Sequence, residues 1–148
     1  MYNCTIFDAF TGISPFEKLG VIKFLESTSC HSKEIIQQSV DYAVKDCPSF
    51  GGYIFSVNFE KEPIAVAVIN KSGIPGYLSK NILVQFSIAE TWQTIEFTQY
   101  FFGKLINLTN KNLSLQLNAD NPNIPILQKI GFVPHALEFR FSEAAAEA

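Results

Sequence analysis

The sequence has few charged residues and few cysteines. Charged side chains make up 17% of the chain, and the formal net charge is −3. Lysine and arginine form no cluster anywhere in the sequence. Because nucleic acids and anionic lipids attract clustered positive charge, neither is expected as a partner. The three cysteines, Cys4, Cys30 and Cys47, lack the short spacing of metal-binding or redox pairs. We therefore expect reduced thiols and no metal site.

Long apolar runs are missing as well. No apolar segment reaches the roughly 18 residues that a membrane-spanning helix needs, and no basic stretch followed by an apolar run stands at the N-terminus. We therefore expect a cytoplasmic protein that does not enter a membrane. Hydrophobic residues are abundant, at 47% of 148 residues. This predicts a single well-packed domain over residues 1–148, with residues 143–148 as a frayed tail.

The first half of the chain predicts a strand, two helices and a hairpin. A short β-prone run at residues 4–7 precedes a segment opened by Ser14-Pro15, and Ser32 is the expected cap of a second helix that ends at Pro48. The apolar face predicted for the first helix is Phe16, Leu19, Ile22, Phe24 and Leu25. Aromatic and β-branched stretches at residues 53–59 and 63–70 flank a turn and predict a hairpin.

The second half alternates between strand and helix periods. Residues 82–88 predict a fourth, central strand, and helical spacing from Thr94 to Asn110 predicts a third helix. A strand at 113–117, a short helix that starts at Asn121-Pro122 and closes at Gly131, and a last strand at 133–141 follow. The order β-α-α-β-β-β-α-β-α-β predicts an α/β fold with a mixed sheet and helices on both faces.

Two segments carry a resemblance to a known family. Residues 118–122 and 127–132 resemble the N-P-A-x-x-L-Y-x-K-L-G-F segment of the GNAT N-acyltransferases, and residues 76–84 are similar to a G-Y-x-x-x-N-I-L-V stretch of small bacterial GNAT proteins. With the element order, the resemblance covers nearly all of residues 4–141. It implies transfer of an acetyl or other acyl group from acyl-CoA to a primary amine of a small molecule or a protein. It also implies that the fourth and fifth strands splay around the pantetheine arm.

The resemblance also implies a cofactor loop after the fourth strand, where backbone amides at a helix start meet the diphosphate. The residues assigned to the cofactor are Ile88, Gln93, Thr94, Ile95, Glu96, Phe97, Thr98 and Asn121. Glu96 and Thr98 replace the glycines of the family's R/Q-x-x-G-x-G/A loop. A carboxylate about 5 Å from the diphosphate would cost on the order of 3 kcal/mol, up to roughly a hundredfold in affinity. Weak binding of acetyl-CoA or another acyl-CoA is therefore expected. The alternative is a plain amphipathic helix capped by Thr94.

The catalytic residues of the family are not all matched. Leu127 occupies the position of the tyrosine that protonates the departing thiolate, and leucine cannot donate a proton. Tyr77 and Tyr100 are candidates to replace it. The resemblance assigns Tyr77, Asn81 and Gln85 to the substrate side. Gln85 and Ser87 lie near the place where the family has a base, but neither side chain titrates usefully near neutral pH. His135 is a further acid–base candidate, with an ordinary strand histidine as the alternative.

Two functions are therefore open from the sequence. One is a divergent N-acyltransferase with a degenerate site. The other is a non-catalytic GNAT-like module that binds another ligand or a protein partner, which the residues at positions 96, 98 and 127 favour. Pairing of two copies through a sheet edge or through the terminal strand is a third hypothesis, and the sequence does not identify the acceptor amine.

Overall fold

The computed structural model describes residues 2–28, 31–44, 51–71 and 80–146. The strands in these ranges are β1 (Tyr2–Phe7), β2 (Gly52–Phe59), β3 (Glu62–Lys71), β4 (Asn81–Ile88) and β5 (Ser114–Leu115). The helices are α1 (Pro15–Thr28), α2 (Lys33–Ala43), α3 (Ile95–Leu108), α4 (Ile124–Ile130) and α5 (Glu143–Ala146), with a 3-10 turn at Glu90–Trp92. The predicted end of the second helix at Pro48 lies outside the described residues.

The described strands form one mixed sheet in the order β1-β2-β3-β4-β5. β1 to β4 are antiparallel neighbours, and β5 joins β4 in parallel. The prediction that the fourth strand is central is wrong, because β3 holds the centre. Its six residues from Ile64 to Ile69 are all buried, as expected for a strand covered on both faces.

Helices cover both faces of the sheet, as the element order predicts. On one face, α3 and α4 pack on the strands through a cluster that includes Phe55, Ala67, Phe101, Leu105 and Leu127. We call this the α3 layer. On the other face, α1 and α2 pack through a cluster that includes Phe7, Leu25, Ile36, Val40 and Val66, which we call the α1/α2 layer. No helix among the described residues is long and apolar enough to span a membrane.

The buried face of α1 differs from the prediction. Val21, Ile22 and Leu25 are buried, whereas Phe16 is 86% exposed and Leu19 is 48% exposed. At about 100° per residue, Leu19 lies about 160° around the helix from Val21, and Phe16 lies about 140° from it. Phe16 and Leu19 therefore point away from Val21 and face solvent. The buried residues of α1 all lie between Val21 and Leu25.

The predicted last strand at residues 133–141 does not form within this chain. These residues have neither helix nor strand, and Val133, Leu137 and Phe139 are 76%, 84% and 90% exposed. The period-two alternation favours a strand, but a strand also requires a neighbour with which to pair. The strand that precedes it in the chain, β5, spans only two residues instead of 113–117. The element order is thus as predicted up to α4, after which residues 143–146 form the short α5 where a frayed tail was expected.

Candidate functional site

The sheet opens between β4 and β5. β5 pairs with β4 only through Ile82↔Ser114 and Leu83↔Leu115, at the beginning of β4. β4 continues for five more residues to Ile88. On its β5 side, that part of β4 has no strand partner among the described residues. We call this opening the β4–β5 gap.

Backbone polar groups of β4 face the gap. The amide of Ala89 donates to the carbonyl oxygen of Ile64 on β3, over 2.8 Å. Because successive residues of a strand point their amide and carbonyl groups to opposite sides, those of Phe86 and Ile88 point away from β3, toward the gap. Sequence reasoning identified Ile88 by alignment and missed Phe86, because a backbone role leaves no mark on residue type.

The α3 start lies just beyond the end of β4 and has its own cap. The hydroxyl of Thr94 accepts a hydrogen bond from the Phe97 amide over 3.1 Å, and the carbonyl oxygen of Thr94 accepts from the Thr98 amide over 3.0 Å. The Gln93 and Thr94 amides donate to carbonyl oxygens of the preceding 3-10 turn. Within the described chain, the amides of Ile95 and Glu96 are left to meet a ligand or water.

The side chains of the predicted cofactor loop point in different directions. Phe97 and Thr98 are buried, at 4% and 9% exposure, so both side chains belong to the protein interior. Ile95 is 55% exposed, and Glu96 lies exposed in the first turn of α3. Gln93 turns back, and its side-chain amide donates to the Ile88 carbonyl oxygen over 2.9 Å. The α3 start is therefore a capped helix end that carries a negative charge.

Two further predicted positions follow β5. Asn121 lies in the loop beyond the carboxyl end of β5, where its side-chain oxygen accepts from the Asn123 amide over 2.8 Å. α4 begins after Asn123 rather than at Asn121-Pro122, so Asn121 shapes the turn before the helix. Leu127 is 3% exposed and packs into the α3 layer. The position at which the family resemblance expects a proton donor is thus occupied by a leucine of the core.

The substrate-side residues do not gather at one place. Asn81 begins β4 and donates to the Asn112 carbonyl oxygen over 2.9 Å, at the closed end of the β4–β5 pair. At about 3.3 Å per residue, it lies roughly 23 Å from Ile88. It lines a cavity of about 330 Å³, together with Tyr53, Lys80, Leu108, Thr109, Asn110 and Asn112. Tyr77 lies outside the described residues.

Gln85 and Ser87 occupy the middle and end of β4. They pair with Val68 and Val66, both of which pack in the α1/α2 layer, so the two polar side chains face that layer. Ser87 donates to the carbonyl oxygen of Thr28 at the end of α1 over 3.1 Å. Gln85 is 3% exposed, and its Oε1 atom has no hydrogen-bond partner in the described part of the chain.

Tyr100 lies at the opposite edge of the sheet from the gap. Its hydroxyl oxygen is 3.5 Å from the sulfur of Cys4 on β1, inside an aromatic cluster with Tyr2 and Phe97. The hydrogen bond with Cys4, followed by burial, raises the pKa of Tyr100 to about 12. The structure therefore does not bring this candidate acid to the β4–β5 gap.

His135 lies exposed in residues 133–141, outside the sheet, and the strand in which it was expected is not formed. No group of three His, Cys, Asp or Glu side chains that could hold a metal occurs in the described ranges.

No family model and no curated sequence matches the chain. Solved structures are similar over nearly its whole length. The ribosomal-protein-S18-alanine N-acetyltransferase from Escherichia coli superposes with a TM-score of 0.66 at 12% identity, over 92% of this chain and 80% of that one. An aminoglycoside acetyltransferase from an uncultured soil metagenomic sample, in complex with sisomicin, gives 0.63 at 11%, over 95% of each chain. A GNAT family acetyltransferase from Streptococcus pneumoniae gives 0.65 at 9%, over 97% of this chain and 99% of that one.

Proposed function

We propose that this chain, which has the fold of the GNAT acetyltransferases, is a divergent N-acyltransferase that moves an acyl group from a thioester to a primary amine. The observation that carries the proposal is the separation of β4 from β5 after Leu83. A donor with an amide-bearing arm, such as the pantetheine of an acyl-CoA, would bind there as an added strand, because Phe86 and Ile88 turn backbone polar groups toward the gap. A cytoplasmic location stays a prediction from the sequence.

The two ends of an acyl-CoA differ in how well they suit this site. The gap offers backbone donors and acceptors for the pantetheine amides, and one of these acceptors, the Ile88 carbonyl oxygen, already receives a hydrogen bond from Gln93. The α3 start suits the diphosphate poorly, because Thr94 already caps the Phe97 amide and Glu96 adds a negative charge. Since Glu96 is exposed, water and salt screen its charge, and we expect a penalty of about tenfold in affinity rather than a hundredfold.

Among the described residues, no side chain is placed to carry out the proton transfers of the reaction. Transfer to an amine breaks a C–S bond and forms a C–N bond, so the amine loses one proton and the thiolate gains one. Leu127 cannot supply a proton, and Gln85 cannot accept one near neutral pH. As far as the described residues go, water would have to serve in both roles, and general acid catalysis is typically worth ~10²- to 10⁴-fold. Slow turnover is therefore part of the proposal.

A non-catalytic binding module is the second candidate. The burial of Leu127 in the α3 layer favours it, because a core residue occupies the position of the proton donor. Such a module would bind a ligand or protein partner without breaking a bond. The two candidates differ in whether an acylated amine appears.

Two ligands and two matched variants test the proposal. The ligands are acetyl-CoA and S-acetylpantetheine, which has the thioester arm without a diphosphate, and binding is measured by thermal shift and calorimetry. Glu96→Gln removes the charge at the α3 start. Glu34→Gln makes the same change in the first turn of α2 and serves as the control.

We expect both ligands to raise the melting temperature, and Glu96→Gln to strengthen acetyl-CoA binding about tenfold without affecting S-acetylpantetheine. Glu34→Gln should leave both affinities unchanged. If neither ligand stabilises the protein, the proposed donor site is wrong. If both bind but a panel of primary amines yields no acylated product by mass spectrometry, the binding module replaces the enzyme.

A further inference from the structure

A cavity lies at the closed end of the β4–β5 pair. Its volume is about 330 Å³, and it is lined by Tyr53, Lys80, Asn81, Leu108, Thr109, Asn110 and Asn112. We call it the Asn81 cavity. It lies between the end of α3 and the first residue of β4, roughly 23 Å from Ile88 at the open end of the β4–β5 gap. Its volume reaches the range of small-molecule sites, which begins at about 300 Å³.

Hydrogen bonds fix the wall of the Asn81 cavity. The Lys80 amide donates to the side-chain oxygen of Asn112, and the side-chain amide of Asn81 donates to the Asn112 carbonyl oxygen, each over 2.9 Å. The buried hydroxyl of Thr109 donates to carbonyl oxygens of α3. Because a hydroxyl has one proton, the Thr109 oxygen can act only as an acceptor toward a ligand.

The charge of the lining favours an anion. Lys80 is positively charged, and none of the lining residues is acidic. A second ammonium group lies close by, since the Nζ atom of Lys71 is 4.9 Å from the centre of the Tyr53 ring. Divalent metal ions prefer carboxylate oxygens, which this lining lacks, and an organic cation would be repelled by the two lysines.

The other polar groups favour hydroxyls on the same ligand. The side-chain amides of Asn81, Asn110 and Asn112 both donate and accept hydrogen bonds, as hydroxyl groups do. α3 ends at the cavity, and the negative end of its helix dipole attracts hydroxyl hydrogens and repels an anionic group. The two ends of the cavity therefore differ, with the positive charge at Lys80 and the acceptors at the end of α3.

We propose that the Asn81 cavity binds a small hydroxylated anion, with its charged group beside Lys80 and its hydroxyl groups beside Thr109 and Asn110. Sugar acids and sugar phosphates have this chemistry. A ligand in this place bridges the end of α3 and the beginning of β4, so it stabilises the folded protein. The cavity is separate from the β4–β5 gap, and the proposal does not depend on acyl transfer.

Four probes separate the parts of this chemistry. Gluconate and glucose 6-phosphate carry hydroxyl groups together with a carboxylate or a phosphate, glucose carries hydroxyl groups alone, and inorganic phosphate carries charge alone. Binding is measured by calorimetry and by the shift in melting temperature. At least one of the two hydroxylated anions should bind, and the tighter one shows which anionic group the site takes. Glucose and inorganic phosphate should bind at least about tenfold more weakly, because each lacks one kind of contact.

Two variants and one control place the probe in the cavity. Lys80→Met should weaken binding of the hydroxylated anion about tenfold or more, since hydrogen bonds between charged groups are the strong ones. Lys23→Met, at an exposed position of α1, is the matched control and should leave the affinity unchanged. Asn110→Gly removes one side-chain amide at a φ of 53°, which glycine adopts without strain, so the variant should fold and bind about fivefold more weakly.

Three results would overturn the proposal. The first is that neither gluconate nor glucose 6-phosphate stabilises the protein. The second is that Lys80→Met binds them as tightly as the wild type does, which would place the ligand elsewhere. The third is that inorganic phosphate binds as tightly as glucose 6-phosphate, because the asparagines would then recognise no hydroxyl group.

Discussion

The side-chain amide of Gln93 donates a hydrogen bond to the backbone carbonyl oxygen of Ile88, with 2.9 Å between the two atoms. The bond connects the turn before α3 to the last residue of β4. It also gives a partner to one of the carbonyl groups that face the β4–β5 gap. A residue that the family resemblance assigns to the cofactor thus has a structural role at the end of the strand.

We expect Gln93→Met to lower the free energy of unfolding by about 1 kcal/mol, because methionine has a similar shape and no donor. Urea denaturation measures the change. Gln99→Met, at an exposed position of α3, is the matched control and should have almost no effect. Equal losses in the two variants would show that the bond to Ile88 adds nothing to stability.

The two glycines Gly52 and Gly20 should respond in opposite ways to alanine. A Cβ atom at Gly52 would lie 1.7 Å from the Ile69 carbonyl oxygen on β3, and this neighbour is backbone, which cannot move aside cheaply. Gly20 lies in α1 with nothing within 4 Å of a Cβ atom. Gly52→Ala should therefore lower the free energy of unfolding by about 3 kcal/mol or prevent folding.

Gly20→Ala should instead raise the free energy of unfolding by about 0.5–1 kcal/mol, because alanine is the better helix former. Thermal unfolding of both variants beside the wild type checks the pair. A tolerated Gly52→Ala would mean that β2 and β3 are not packed at this register.

The sequence predicted the elements whose signals are local. The Ser32 and Thr94 caps lie where they were expected, and α4 ends at Gly131 as predicted, because side-chain capping and a positive φ are properties of a few adjacent residues. Strand pairing is not local. The alternation at residues 133–141 favours a strand but does not say which strand is its neighbour, and the segment pairs with no strand of the described chain.

The candidate site was predictable in its position but not in its contacts. Residue types located the loop after β4 and the missing tyrosine at Leu127. They could not show that Gln93 bonds to Ile88, that Asn81 lies at the far end of β4, or that Tyr100 faces β1. These facts depend on register and on the direction of each side chain, which are set by packing across the whole sheet.

Acid should weaken the protein partly through Asp8. Its carboxylate accepts hydrogen bonds from the Thr11 and Phe10 amides and from the Thr11 hydroxyl. The Thr11 amide contributes most, and together these bonds hold the pKa of Asp8 below its ordinary value of 3.8, with burial opposing them. The unfolded chain then takes up the proton first, so this stabilisation is complete above pH 3.8 and is lost as the pH falls through the folded-state pKa.

We expect the difference in unfolding free energy between wild type and Asp8→Asn to shrink as the pH drops below 3.8. Urea titrations at a series of pH values measure it. Asp120→Asn, at an exposed loop position, should show no such convergence. If the difference in unfolding free energy between wild type and Asp8→Asn stays constant with pH, the hydrogen bonds around Asp8 do not stabilise its charged form.

Gln85 and Ser87 lie two residues apart on one face of β4 and differ in a way that can be measured. Ser87 donates to the Thr28 carbonyl oxygen, whereas the buried Oε1 of Gln85 has no partner among the described residues. A buried acceptor without a donor costs about 1–3 kcal/mol. Gln85→Leu should therefore leave the free energy of unfolding unchanged or raise it by about 1 kcal/mol, while Ser87→Ala lowers it by about 1 kcal/mol.

The family resemblance also assigns Gln85 to the substrate side, where its Oε1 atom, buried here, would accept a hydrogen bond from the amine. If the proposed acyltransferase uses it in this way, Gln85→Leu should raise KM for the amine about fivefold while the donor affinity stays the same, since an uncharged hydrogen bond contributes about 1 kcal/mol. Gln85→Glu, which keeps the acceptor, should retain the low KM. A Gln85→Leu variant that unfolds as readily as Ser87→Ala and binds amines normally would assign Gln85 to the structure of the strand alone.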